Sequence, residues 1–154
     1  MNIGVISDTH GLVRPEAVAA LEGSDLIIHA GDIGSPDVLD ALRALAPVIA
    51  VRGNVDKGSW AKELPDTDVV QADEALIYVL HNLSEIDLTP AVAQMHAVIA
   101  GHSHEPSIVT RAGILYLNPG SAGPRRFKLP VGVARLHVTG INLTAELIHL
   151  DVGG

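Results

Sequence analysis

The sequence opens on a short apolar strand that leads directly into two residues of the kind that bind metals. Residues 2–6 are mostly β-branched, and Asp8 and His10 follow at once. Because Gly4 and the alternating Ile and Val residues leave no polar face for solvent, we expect this strand at the centre of a sheet. Ligands of open α/β sheets bind just beyond the carboxyl ends of the strands. In an extended segment, side chains two residues apart can point the same way, which suits two ligands of one metal ion.

Taken alone, this pair is equally typical of a helix cap at Asp8 and a surface loop at His10. The pattern recurs, however, since a second apolar strand ends at Gly31-Asp32 and a third at Gly53-Asn54. The predicted elements that connect these exits are a helix at 15–22, a strand at 25–30, a helix at 36–46 and a strand at 47–52. This βαβαβ order predicts a parallel sheet with right-handed crossovers.

The second half of the chain repeats the strand-exit pattern with histidines. A strand at 76–80 ends at His81, and a short strand at 97–100 ends at Gly101-His102-Ser103-His104, where an extended loop would put both imidazoles on one side. The other predicted elements are a loop at 57–68 with Trp60 as its aromatic anchor, a hairpin turning at Asp73-Glu74, a weak helix at 87–95, a hairpin at 107–117 and a terminal hairpin joining 131–138 to 141–150. The sheet therefore becomes antiparallel in places.

Composition limits the function classes. The chain has 154 residues, enough for one domain over 1–154, and a net charge of -8, which argues against a sequence-independent nucleic-acid binder. It has no cysteine, so any metal must bind to oxygen and nitrogen ligands. No apolar run approaches the roughly 20 residues that span a bilayer, and no signal segment precedes the first strand. We therefore expect a cytoplasmic protein without membrane or sequence-specific nucleic-acid partners.

The strand exits together supply seven candidate metal ligands. They are Asp8, His10, Asp32, Asn54, His81, His102 and His104. Imidazoles with carboxylate and amide oxygens suit Mn, Fe, Zn or Ni, and seven ligands are too many for one tetrahedral ion. Two ions that share a bridging carboxylate fit this number better. Such ions lie about 3.5–4 Å apart and clamp the attacking and leaving oxygens of an in-line displacement.

These motifs, in this order, resemble the calcineurin-like metallophosphoesterases. The matching blocks are Asp8-x-His10, Gly31-Asp32, Gly53-Asn54, His81 and Gly101-His102-x-His104, and each block alone is a weak signal. The short chain without a cap domain, and the turn at 118–121, look most like the small bacterial and archaeal phosphodiesterase branch. The resemblance implies an α/β fold, a four-layer α/β/β/α sandwich of two mixed sheets flanked by helices.

The resemblance also implies a ligand assignment. Asp8, His10, Asp32 and His104 would hold one metal, and Asp32, Asn54, His81 and His102 the other, with Asp32 bridging. The cofactors implied are two divalent ions, with Mn favoured and Fe, Zn and Ni as alternatives. The implied reaction is hydrolysis of a small or activated phosphodiester by attack of a metal-bound hydroxide. Asp32, Asn54 and His10 are the expected catalytic residues.

Two positions depart from the family pattern. Many members have a histidine after the Asn of the third block, which helps with the leaving group, and here Val55 stands there. The fourth block is usually His-Gly, and here it is His81-Asn82. His29, Arg52 and Asp56 are better candidates for support of the ligands than for ligation. A role of Arg125 and Arg126 in binding phosphate is the less favoured interpretation of that basic cluster.

Other functions stay open at this stage. A scaffold or regulatory protein with little activity would keep the same fold, as a subunit of the eukaryotic retromer complex does. Val55, which stands in place of the family's histidine, is the residue that favours this alternative. A phosphomonoesterase would share all the metal residues. The β-hairpins could be protected edges or dimer contacts, so a homo-oligomer is also left open. The full set of ligand types favours the enzyme.

Overall fold

The computed structural model describes residues 1–91, 93–126 and 128–152. Within them, ten strands form two five-stranded sheets, and two α-helices and two 3-10 turns complete the regular structure. The strands are β1 Asn2–Ile6, β2 Leu26–His29, β3 Val48–Ala50, β4 Thr67–Ala72, β5 Ala75–Leu80, β6 Ala97–Ile99, β7 Ser107–Arg111, β8 Ile114–Asn118, β9 Gly132–Thr139 and β10 Asn142–His149. The helices are α1 Pro15–Leu21 and α2 Pro36–Arg43, and the 3-10 turns are Ser59–Ala61 and Leu83–Glu85.

The first sheet has the strand order β10-β9-β1-β2-β3, so the opening strand is central, as predicted. β1, β2 and β3 are parallel, whereas β9 runs antiparallel to β1. In this register Ile6 lies beside His29, and His29 lies beside Ala50. The carboxyl ends of the three parallel strands therefore meet at one edge, and the exits that contain Asp8, Asp32 and Asn54 lie together there.

The second sheet has the order β4-β5-β6-β8-β7, with β5, β6 and β8 parallel and the two edge strands antiparallel to their neighbours. Because β5 and β6 are parallel, the exits at His81 and His102 also share one edge. The hairpins predicted around Asp73-Glu74, within 107–117 and at the chain's end are confirmed. β4 begins at Thr67, inside the segment predicted as loop, because its pairing with β5 extends to Leu80.

The two sheets pack face to face over an aliphatic core. Ile3, Val5 and Ile28 of the first sheet form one buried cluster with Ile77 and Ile99 of the second. A separate cluster on the outer face of the first sheet holds both helices, and partly buried side chains, including Trp60, pack against it. The predicted fold class is confirmed. Among the described residues, no helix is long and apolar enough to cross a membrane.

Among the described residues, no α-helix covers the outer face of the second sheet. Leu83 of the 3-10 turn, Ile86 and Met95 pack there against buried β5 and β6 side chains. The weak helix predicted at 87–95 is wrong for residues 87–91 and 93–95, which form bends and turns, and Val92 lies outside the described residues. Pro90 has no N–H for a helical hydrogen bond, and Gln94 adopts φ 62, which ends any right-handed turn.

Candidate metal centre

The strand exits of both sheets meet at one site. Six of the predicted ligands form two groups whose ligand atoms lie within 4.8 Å of one another. We call Asp8, His10 and His104 the enclosed cluster, and Asp32, His81 and His102 together with Asn54 the cleft cluster. Each cluster draws side chains from both sheets, so the site exists only when the two sheets pack.

The backbone at these exits is turned, not extended. The φ angles are 55° at Asp8, 48° at His10, 55° at Asp32, 72° at His102 and 62° at His104, all in the left-handed region. The extended segments expected at Asp8-x-His10 and His102-x-His104 are therefore wrong. Asp and His occur in left-handed backbone several times more often than most residues, and such strain clusters at functional sites.

Glycines let these turned loops approach one another. A Cβ at position 101 would collide with the Ser7 hydroxyl and the Asp8 carboxylate, and one at position 53 would collide with the Asp32 backbone. The Gly residues that precede His102 and Asn54 therefore have a steric reason to be there. Without them, the two loops could not lie flat against the exits of β1 and β2.

The carboxylates of the two clusters face imidazoles on both sides. Asp32 Oδ2 lies 3.2 Å from His81 Nε2 and 3.8 Å from His10 Nε2. Asp8 Oδ1 lies 3.3 Å from His104 Nε2, and 3.8 Å from His81 Nε2. Asp32 Oδ2 thus faces imidazoles of both clusters, and its bridging role stays a prediction.

One oxygen of each carboxylate is held by hydrogen bonds. Asp8 Oδ2 accepts from the Ser7 hydroxyl at 2.6 Å and from the His102 N–H at 3.1 Å. Asp32 Oδ1 accepts from the Val55 N–H at 3.1 Å. The other oxygens, Asp8 Oδ1 and Asp32 Oδ2, are the ones that face the imidazoles. Sequence reasoning missed Ser7, whose place just before Asp8 is the only signal of this role.

Several buried acceptor atoms at the site lack a donor. Asp8 Oδ1 and His10 Nε2 have no hydrogen-bond partner among the described residues. The Asn54 side-chain amide lies 3.1 Å from His81 Nε2 and 3.2 and 3.3 Å from the two Asp32 oxygens. The nitrogen of this amide can donate to the Asp32 carboxylate, and in the opposite orientation its oxygen would be available to a cation. The residues therefore fit divalent metals with O and N ligands.

Buried His29 supports the loops on both sides of the site. Its Nδ1 accepts from the Gly31 N–H at 3.1 Å, so its Nε2 carries the proton and donates to the Thr9 hydroxyl at 3.0 Å. Thr9 in turn donates to the Ile33 carbonyl at 2.8 Å. Burial first, and the nearby His81 second, lower the pKa of His29 to about 3, so it is neutral at physiological pH. His29 thus fixes the Asp8–His10 loop against the Asp32 loop.

Asp56 and Arg52 differ in their relation to the ligands. Asp56 is buried and accepts from the N–H groups of Ile33, Gly34 and Gly53, which ties the loop after β2 to the loop after β3. Arg52 instead donates to Asp66 at 2.8 Å. Of the two candidates for support, only Asp56 therefore holds ligand-bearing loops.

Burial and neighbouring charges shift the pKa values of three ligands. Burial alone would raise the pKa of Asp32, but the His81 hydrogen bond and the Val55 N–H lower it to about 2. Burial alone would likewise lower the pKa of His81, but Asp32 and Asp8 raise it above its usual value. In the enclosed cluster, burial lowers the pKa of His104, and the charge of Arg126 acts in the same direction. The Asp32 carboxylate is therefore ionised and ready to bind a cation.

A cleft of about 550 Å³ opens on the cleft cluster only. Its lining residues are Arg52, Gly53, Asn54, Asp66, Thr67, Leu80, His81, Asn82, Glu85, Asp87 and His102. Asp8, His10 and His104 do not line it. A substrate would therefore reach the site from the side of His102 and Asn54.

Comparison with known proteins shows the family of this chain. The chain matches the calcineurin-like phosphoesterase superfamily domain over residues 1–140 and belongs to that family. It is 36% identical over 160 residues to a probable metallophosphoesterase of Methanothermobacter thermautotrophicus, covering 96% of this chain and 92% of that one. Its fold is similar to Vps29 of Chaetomium thermophilum (TM-score 0.81, 23% identity, covering 94% and 86%) and to an archaeal phosphodiesterase (TM-score 0.73, 24% identity, covering 96% and 100%).

Proposed function

We propose that this protein is a metal-dependent phosphodiesterase that hydrolyses a small or activated phosphodiester at a two-metal site. One observation carries the proposal: two adjacent clusters of O and N ligands share Asp32, and a cleft leads to one of them. The archaeal phosphodiesterase of similar fold supports this choice of reaction. The seven ligands predicted from the sequence are the residues that we propose to hold the ions.

In the proposed reaction, water attacks phosphorus and one ester P–O bond breaks. The water oxygen stays on phosphorus, the alcohol leaves with a proton, and the second product is a phosphate monoester. Two divalent ions, when bound, would make water a better nucleophile and offset the negative charge of the transition state. Mn is the favoured ion, since carboxylate and amide oxygens suit it, and Fe, Zn and Ni are the alternatives that the four imidazoles suit.

The protein's own groups have distinct tasks in this proposal. Asp32, whose Oδ1 accepts from the Val55 N–H, would link the two clusters. The Asn54 amide and His10 Nε2 both lie within 4 Å of the Asp32 carboxylate, and we propose that they help to hold the reacting phosphoryl group. The side chain at position 55 is an exposed Val, which cannot donate a proton to the leaving alcohol. We therefore expect good leaving groups, such as phenolates, to be the preferred ones.

Two alternatives compete with this proposal. The similarity to Vps29 concerns a protein of the same fold, and it keeps open a scaffold role with little activity. The unpartnered Asp8 and His10 atoms favour the enzyme, because a scaffold does not need buried ligand atoms that lack partners. A phosphomonoesterase would use the same ligands and differ only in the esters that it accepts. A cytoplasmic location and a homo-oligomer stay predictions.

Hydrolysis by metal-stripped protein tests the proposal directly. Bis(4-nitrophenyl) phosphate and 4-nitrophenyl phosphate would be assayed with Mn, Ni, Zn, Fe or Mg added back singly. Activity restored by one or two transition metals, and higher on the diester, is the expected result. Preference for the monoester would favour the phosphomonoesterase. Two ions bound without activity on either ester would contradict the enzyme and favour the scaffold.

A further inference from the structure

We infer that a second pocket beside the metal centre binds one apolar, ring-sized ester arm of the substrate, while the cleft binds the other, polar arm. This inference rests on the proposed function and narrows its substrate to a phosphodiester with two unlike arms. The pocket lies on the outer face of the second sheet, where the cover of that face stops short of the strand exits. It holds about 220 Å³.

The pocket is apolar at its floor and along one wall. Val98 and Ala100, both at least 95% buried, belong to the outer-face cluster and form the floor, while Leu83 and Tyr116 line the wall. The rest of the lining is polar and comes from Ser103, Ser107 and Asn118. Even a dry apolar cavity of about 150 Å³ can bind benzene, so this volume is large enough for an aromatic ring. The Arg111 guanidinium lies 5.7 Å from the centre of the Tyr116 ring and holds that ring from its outer side.

The pocket is continuous with the metal centre. Gly101 and His102 line it, and His102 also lines the cleft on the other side. Asn82 lines both spaces and forms the ridge between them. A phosphoryl group held at His102 therefore has an open space on either side. A phosphodiester has two arms to place there, whereas a monoester has one.

The two spaces differ in chemistry. The cleft is lined by the carboxylates of Asp66, Glu85 and Asp87 and by Arg52, which is already paired with Asp66. A further phosphate group on that arm would meet three carboxylates and be repelled, so a hydroxylated or cationic arm suits the cleft. The floor of the pocket carries no charged side chain. An apolar arm gains free energy there because its surface leaves water.

Asn82, where the family pattern has Gly, builds this ridge. Its amide oxygen accepts from the Ser84 N–H at 3.1 Å and from the Ser84 hydroxyl at 2.8 Å, which caps the 3-10 turn Leu83–Glu85. That turn places Leu83 against the pocket. A Gly at position 82 could neither cap the turn nor separate the two spaces. The departure from the family pattern is thus a feature that shapes the substrate site.

Two phosphonates that differ only in the apolar group test the pocket by binding. Phenylphosphonate and methylphosphonate present the same anionic head, so calorimetric titration of Mn-loaded protein isolates the ring. We expect phenylphosphonate to bind about 10-fold or more tightly than methylphosphonate. Ser107→Phe fills the pocket from its rim, and Ala100→Leu fills it from the floor; each should bring the two affinities together. Thr110→Phe, also exposed on β7 but outside the pocket, should keep the difference.

The outcomes separate the pocket from the proposed reaction. Equal affinities in the wild-type protein, or no binding of phenylphosphonate, would overturn the pocket even if diesters are hydrolysed. A difference that persists in both filling variants, with their Mn content unchanged, would overturn it as well. A difference that disappears in those variants supports the pocket even in a protein that hydrolyses no diester. In that last case the proposed reaction, and not the pocket, would be the part that fails.

Discussion

The enclosed cluster and the cleft cluster have similar ligands but different surroundings. Asp8 and His104 are 0% and 3% exposed, whereas His102 and Asn54 are exposed at the cleft. Of the other ligands, Asp32 and His81 are buried and His10 is half-buried. Asp8 receives two hydrogen bonds on one oxygen, from Ser7 and from the His102 backbone. The two clusters therefore differ mainly in access, and the cleft cluster is the half that a substrate would meet. If the site holds two ions as proposed, we expect the ion at the cleft cluster to exchange more easily than the ion at the enclosed cluster.

Asp32→Asn should impair the enclosed cluster and the cleft cluster alike, because Asp32 faces imidazoles of both clusters. Removing its charge weakens both sites, and we expect kcat/KM for a chromogenic diester to fall roughly 1,000-fold. Circular dichroism should show an unchanged fold. Asp40→Asn, on the exposed surface of α2, is the matched control and should hydrolyse normally. Normal hydrolysis by Asp32→Asn would mean that the assigned site is wrong.

His104→Ala and His102→Ala compare the two clusters one ligand at a time. Each should lose affinity for one ion, by about 100-fold or more, since even residues that only support metal ligands cost 10–100-fold. Only His104 is buried, so His104→Ala alone should also lower the free energy of unfolding of the metal-free protein, by about 1–3 kcal/mol. Elemental analysis and urea unfolding measure the two effects. Equal stability losses in both variants would contradict the difference in burial.

Val55→His adds a proton donor beside the cleft cluster. The backbone N–H of residue 55 that binds Asp32 is unchanged by the substitution. We expect kcat for a diester with an alkyl leaving group to rise about 100-fold, and kcat for a 4-nitrophenyl diester to change little. Val55→Gln is the control, because it is polar but does not titrate near neutral pH. An equal gain with Gln would show that proton donation is not the cause.

His29 should give the metal-free protein a pH-dependent stability. Its pKa is lowered from 6.5 to about 3, so the unfolded chain binds a proton between these values and the folded chain does not. Stability is therefore fully present above about pH 6.5 and is lost as the pH falls towards 3, by at most about 1.4 kcal/mol per pH unit.

The matched test uses His29→Asn, whose amide can still accept from the Gly31 N–H. His10, His81 and Asp32 act on His29 and also titrate themselves. The relevant quantity is therefore the difference between the two proteins in how steeply the free energy of unfolding falls with falling pH, and we expect a smaller fall in His29→Asn. Urea unfolding at several pH values between 4 and 7 measures it. A slope that is unchanged in His29→Asn would contradict a neutral, buried His29.

Much of the site could be predicted from the sequence, because each ligand directly follows an apolar strand. Asp8, Asp32 and His81 lie at the strand ends where the pattern placed them. The extended loops were predicted wrongly, since a strand that ends at a sheet edge must turn, and its φ values depend on neighbouring loops. Arg52 pairs with Asp66, a partner 14 positions away that its local sequence does not indicate.

The sequence by itself determined the kinds of ligand, their order and the strands that carry them, because hydrophobic periodicity and Gly are local signals. Only the tertiary structure decided which ligands share a cluster, which cluster is enclosed, and where the apolar pocket opens. Leu83, Ala100 and Tyr116 are far apart in the chain. They meet only when the second sheet forms and the 3-10 turn Leu83–Glu85 packs on its outer face. Contacts of this range depend on sheet packing and register, which no short stretch of sequence encodes.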